Sequence, residues 1–166
     1  TNNILLAYAN ASGSEYTIPD GITVIYQGAF CSCVNLRSVT IPESVTGIGY
    51  MAFGYNSNLE SVYCKPTTPP STDMYAFQYP NEDGEYVNAP CKIYVPQESY
   101  DAYMSKGGWA NYSDNLVGYN IETGEVFDPE SFECVIKYTS TDGEIVVPCD
   151  SSAFDAEILC NIYKNG

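Results

Sequence analysis

Two consecutive blocks of this chain align without a gap: TIPDGITVIYQGAFCSCVNLRSV, residues 17–39, and TIPESVTGIGYMAFGYNSNLESV, residues 40–62. About half the positions are identical, and the shared ones form a periodic apolar set: Ile18 with Ile41, Ile25 with Ile48, Phe30 with Phe53, Leu36 with Leu59 and Val39 with Val62. This repeat limits the fold more than any other feature. A unit so short cannot enclose its own apolar face, so copies must stack and share one core, each Phe and Leu packing on its counterpart in the next coil. The expectation is a β-rich solenoid.

Within each unit, Leu36 to Ile41 reads L-x-x-V-x-I, and the segment from Leu59 begins the same way. Short parallel strands are expected there. Alternation along a strand turns Val39 and Ile41 inward and leaves Ser38, Thr40, Ser61 and Tyr63 on the outer sheet face. The segments IPDGITVIYQGAF and IPESVTGIGYMAF form the returning arc, where Pro19 and Pro42 bar a continued central strand and Gly28, Gly47 and Gly49 permit tight bends. No long helix is expected in that arc.

The blocks resemble the BspA-type leucine-rich repeats of bacterial cell-surface proteins, whose units read approximately I-P-x-x-V-x-x-I-x-x-x-A-F-x-x-C-x-x-L-x-x-V. Cys33 stands at the repeat's usual Cys, and Asn56 replaces it in the second block. The segment VYCKPTTPP at 62–70, Met74 to Phe77, and CKIYVPQESYDAY at 91–103 resemble the closing part of such arrays in Bacteroidetes. NNILLAYANASGSEYTIPDG is similar to a degenerate unit ahead of a regular one, and residues 134–166 resemble a module that opens another array. The resemblance implies a leucine-rich repeat solenoid with short parallel strands, a C-terminal capping helix and a small β appendage. It also implies a slice of a longer, exported protein, at the cell surface or outside it and held by an outer-membrane anchor.

Three regions are expected: a repeat domain over 1–119, a linker over 120–133, and a small β module over 134–166 that starts a second array. Residues 63–95 carry two turn-rich insertions around MYAF and form an irregular coil returning to the sheet at Lys92 to Val95. The run QESYDAYMSK then places Tyr100, Tyr103 and Met104 on one helical face, with Glu98 and Asp101 early and Gly107 and Gly108 beyond the last turn. With Trp109, Tyr112 and Leu116, this helix is expected to cover the open end of the core.

Composition then removes whole classes of function. Lys and Arg number 6 against 21 Asp and Glu, a net charge of −15 that repels phosphate backbones and anionic membranes. There is no His, so Ser-His-Asp and Cys-His catalysis are excluded and zinc loses its usual nitrogen ligand. No apolar stretch approaches the roughly 18 residues of a membrane span. The 7 Cys cannot all pair within the chain, and the C-x-C of Cys31 and Cys33 is neither a redox motif nor half of a zinc set. Cys64 and Cys91 flank the irregular coil as packed thiols or as a bridge. Glu82, Asp83 and Glu85 cluster near Asp73, and two carboxylates can hydrolyse glycosides without His. A solvated turn is the simpler reading, and the D-x-D-x-D-G pattern of a calcium loop is missing.

The expected role is therefore a non-enzymatic recognition or adhesion module, without cofactor or metal, that binds a protein or glycan through the outer sheet face. Its candidate ligand contacts are Ser38, Thr40, Ser61, Tyr63 and Lys65. Tyr26, Tyr50 and Tyr55 stand with Tyr63 at positions where the repeat does not demand an apolar residue. The alternatives are a structural spacer in a cell-envelope assembly and, further off, a carbohydrate-active hydrolase.

Overall fold

The computed structural model describes residues 3–9 and 13–126. A degenerate coil supplies strands β1 (Ile4–Leu5) and β2 (Glu15–Thr17), the first regular coil β3 (Val24–Ile25) and β4 (Ser38–Ile41), and the second β5 (Gly47–Ile48) and β6 (Ser61–Cys64). The irregular coil supplies β7 (Ser71–Thr72), a hairpin of β8 (Gln78–Pro80) and β9 (Tyr86–Asn88), and β10 (Lys92–Pro96). Helix α1 (Tyr100–Ser105) follows between two 3-10 segments, Gln97–Ser99 and Gly107–Asn115, and β11 (Leu116–Tyr119) comes last.

Each coil thus gives one strand to each of two sheets, and every pairing in both is parallel. The arc sheet runs β1-β3-β5-β7 and the larger sheet β11-β10-β6-β4-β2. Between the regular coils the register follows the sequence period, Val39 opposite Val62 and Ser38 opposite Ser61, and across the longer irregular coil Val62 lies opposite Ile93. Parallel strands stacked coil on coil, offset by 23 residues between the regular coils and by 31 across the irregular one, with few helices, give a repeat, solenoid-like fold. The arc holds turns and two-residue strands and no helix, as its Pro and Gly content requires.

Between the sheets runs a column of aromatic rings. Phe30 and Phe53 stack at 4.8 Å and 9°, and Phe53 and Phe77 at 4.9 Å and 3°. Val39, Ile41, Leu36, Leu59 and Ile93 are buried around them. At one end Tyr8 stacks on Phe30 at 5.2 Å; at the other Trp109 and Tyr112 approach Phe77 at 6.0 and 5.3 Å. One backbone bond recurs beside the column: Tyr8 N–H donates to Ala29 O, Phe30 N–H to Ala52 O and Phe53 N–H to Ala76 O, at 2.7, 2.7 and 2.8 Å. Tyr8 therefore holds the Phe place in the degenerate coil, although no 23-residue alignment identifies it.

The coil shape imposes its own backbone demands. Positive φ occurs at Gly28 and Met51, 64° and 48°, and again at Ser32 and Tyr55, 58° and 59°. Each pair occupies equivalent places in successive units, so the left-handed conformation belongs to the coil and is kept even where the residue is not glycine. Gly49 answers a different need, since a Cβ there would lie 2.6 Å from the backbone nitrogen of Gln27 in the coil before. Gly47, expected in a bend, is instead paired in β5 opposite Val24.

Helix α1 and the segment after it lie against the irregular coil. Tyr103 is fully buried and donates its hydroxyl to Pro66 O at 2.8 Å, and Trp109 Nε1 donates to Pro70 O at 2.8 Å. Lys106 Nζ donates to Pro69 O. The PTTPP insertion thus exposes carbonyls to aromatic and ammonium donors that arrive about forty residues later in the chain. Tyr100 and Met104, expected on the same face as Tyr103, are half-buried. Residues 120–126 turn back on β11, where Val126 bridges Tyr119. The rest of the expected linker and the β module over 134–166 lie outside the described residues.

Candidate interaction surface

The outer face of the larger sheet carries two rows of side chains at right angles to the strands. One row runs Glu15, Ser38, Ser61, Lys92, and the other Thr17, Thr40, Tyr63, Tyr94, Val117. Ser38, Thr40, Ser61 and Tyr63 therefore meet on one surface, as alternation predicts. They are half-buried, not open, because strands about 4.8 Å apart let neighbouring side chains shield each other. Ser61 Oγ donates to Ser38 Oγ at 2.9 Å, and the Tyr63 ring stacks on Tyr94 at 4.7 Å and 11°. Lys65, one residue beyond β6, is exposed at the rim and lines a groove with Asp20, Glu43 and Ser44.

Tyr94 and Tyr119 complete the aromatic part of this surface and were not among the sequence candidates. Tyr94 had a signal, since K-I-Y-V-P repeats the alternation of S-V-Y-C and so puts a Tyr in register with Tyr63. Tyr119 had none, because β11 follows an irregular segment and carries no repeat motif. It is 5% exposed and meets Tyr63 edge-on at 5.8 Å. Burial, with Cys64, Tyr63 and Glu98 adding, pushes its hydroxyl up to about 12. Burial, and then Tyr63, also raises Tyr94. Both hydroxyls stay protonated at neutral pH, so the half-buried Tyr94 offers a neutral donor and acceptor while the buried Tyr119 supports the Tyr63 ring. Such a face suits recognition through hydrogen bonds and ring contact.

The remaining sequence candidates scatter. Glu82, Asp83 and Glu85 are exposed in the β8–β9 turn, where Asn81 Oδ1 accepts the Asp83 and Glu85 N–H groups at 3.0 and 2.9 Å. Cys31 is exposed, while Cys33, Cys64 and Cys91 are buried, and all four are free. Cys64 and Cys91 sit toward opposite ends of paired strands, because Tyr63 is opposite Tyr94, so the bridge reading gives way to packed thiols. Tyr26, Tyr50 and Tyr55 are exposed on the arc side, away from Tyr63. Among the described residues no group of three or more Cys, Asp or Glu is arranged to hold a metal ion, and no helix is long and apolar enough to cross a membrane.

Comparison with known proteins agrees with this geometry. Residues 6–93 match the family model described as BspA type leucine rich repeat region, 6 copies. No curated protein matches the chain.

Proposed function

The chain belongs to the BspA-type leucine-rich repeat family, and from that premise we propose that it is a non-catalytic recognition module of an exported, surface-held protein, binding a protein or glycan across the outer face of its larger sheet. Repeats of this kind generally serve protein interaction. The observation that carries the reading is the pair of rows on that face, where hydroxyls of Ser38, Thr40 and Ser61 border the stacked rings of Tyr63 and Tyr94. Tyrosine combines large contact area with a polar tip at low conformational cost, which favours it in interfaces. Lys65 at the rim contributes charge. Helix α1, with Trp109 and Tyr112 against Phe77, covers one end of the column.

A spacer in an envelope assembly is the second reading. It draws support from the Ser61–Ser38 bond and the Tyr63–Tyr94 stack, which already satisfy the face from within. An array of host proteins and glycans, probed with the chain and with its Ser38→Arg and Tyr63→Ala variants, separates the two. The recognition reading expects a ligand whose signal both variants abolish. Binding that both variants leave intact, or no binding at all, overturns it.

A further inference from the structure

A second aromatic surface lies on the arc side of the coils, outside the larger sheet. Tyr50 and Tyr55 come from the segment after β5, Tyr75 from the segment after β7 and Tyr86 from β9, and they are 50, 38, 37 and 47% exposed. Their rings form one continuous chain: Tyr50 to Tyr75 at 5.7 Å, Tyr75 to Tyr86 at 6.2 Å and Tyr86 to Tyr55 at 6.4 Å. The hydroxyls of Tyr55 and Tyr86 are 2.9 Å apart. Every contact is edge-on, between 65° and 90°, which links the rings without stacking one face on another.

Coil packing does not account for these residues. The first regular coil has Gln27 and Ser32 where the second has Tyr50 and Tyr55. Isolated exposed tyrosines are ordinary; a linked set held half in water marks an interaction surface.

Charge selects what it meets. Residues 66–91 include Asp73, Glu82, Asp83 and Glu85 and not one Lys or Arg. Asp73 accepts the Tyr75 N–H at 2.8 Å, and the exposed Glu85 directly precedes Tyr86. Aromatic faces carry negative potential and attract cations, guanidinium above all, and carboxylates around them add to that attraction. A neutral sugar would use the rings alone, and an anionic one would be repelled. We propose that Tyr50, Tyr55, Tyr75 and Tyr86 form a docking site for an arginine-rich segment of a partner protein, its guanidinium groups resting on the rings with Asp73 and Glu85 as counter-charges.

The test is fluorescence anisotropy of the full chain with a labelled peptide of four arginines spaced by Gly-Ser, read beside a neutral oligosaccharide array. Removing the rings while keeping every charge, in Tyr50→Ser with Tyr86→Ser, is expected to weaken peptide binding about tenfold. Tyr50→Ser alone, which loses only the contact to Tyr75, gives a smaller loss in the same direction and serves if the double variant is unstable. Tyr86→Phe keeps affinity within about twofold, because the ring remains. A control lacking three exposed charges on other elements, Glu15→Gln in β2, Glu98→Gln after β10 and Asp101→Asn in α1, also stays within about twofold, as screened charges act weakly at a distance. The proposal falls if that control loses as much as the double variant, if the ring variants lose nothing, or if the ring variants lose an oligosaccharide while keeping the peptide.

Discussion

The Tyr112 hydroxyl accepts the Phe77 N–H at 3.1 Å, in the place where an alanine carbonyl of the following coil serves Phe30 and Phe53. The same hydroxyl donates to Met74 O at 2.6 Å. One side chain thereby ends a backbone series that a further coil would otherwise continue. Tyr112→Phe keeps the ring against Phe77 and removes only the oxygen, leaving a buried N–H unpaired. A loss of about 2 kcal/mol is expected in urea unfolding, together with faster amide exchange at Phe77.

Asn56 stands where Cys33 stands one coil earlier and holds both coils. Its Oδ1 accepts the Cys33 N–H at 2.7 Å, and its Nδ2 donates to Phe30 O and Phe53 O at 2.8 and 3.0 Å. It is 1% exposed. Asn56→Ala should cost about 3 kcal/mol, since three buried backbone groups lose their partner. Asn56→Asp, which keeps the shape but cannot donate to the two carbonyls when ionised, should cost at least as much and regain stability as pH falls toward 4. Equal stability of wild type and Asn56→Ala in a urea titration would refute the bridging role.

Gly28 and Gly49 are both glycines of the arc and should respond differently to alanine. At Gly28 a Cβ has room, 3.7 Å from Cys31, and only the positive φ of 64° opposes it, so the cost is about 1 kcal/mol. At Gly49 the Cβ meets backbone of the preceding coil at 2.6 Å, and the coils must part. A cost above about 2 kcal/mol is expected, with disturbed amide shifts at Tyr26 and Gln27 in NMR.

Alkaline pH should loosen the core at its thiols and tyrosines. Burial, with Cys64 and Tyr119 among the smaller causes, raises Tyr103; burial pushes Tyr112 and Cys91 up to about 12 and, with Cys91 adding, raises Cys64 further. The ordinary values are 10.0 for Tyr and 9.0 for Cys, so the unfolded chain loses these protons first. Stability is therefore level below about pH 9 and falls as pH rises toward 12, with no gain on the acid side from these groups. Unfolding midpoints measured from pH 8 to 12 should decline, and Tyr119→Phe should flatten the decline. In the native state at pH 8, Cys31 should take up a thiol reagent while Cys33, Cys64 and Cys91 stay unlabelled, as read by peptide mass mapping.

The stack of Phe30 on Phe53 and the strands at Ser38–Ile41 and Ser61–Cys64 were legible in the sequence because stacking forces equivalent residues to recur at a fixed interval, and the return at Lys92 was legible from its strand pattern, whereas the place of Phe77 in the column was not. That same periodicity put Ser38, Thr40, Ser61 and Tyr63 on one face before any coordinates. Tertiary structure alone decided what meets between unlike segments. Tyr8 entering the spine from a degenerate coil, Tyr119 reaching Tyr63, Tyr112 completing Phe77 and the linked tyrosines of the arc depend on coils and segments that depart from the 23-residue period, and sequence spacing carries no record of distance once the period is broken.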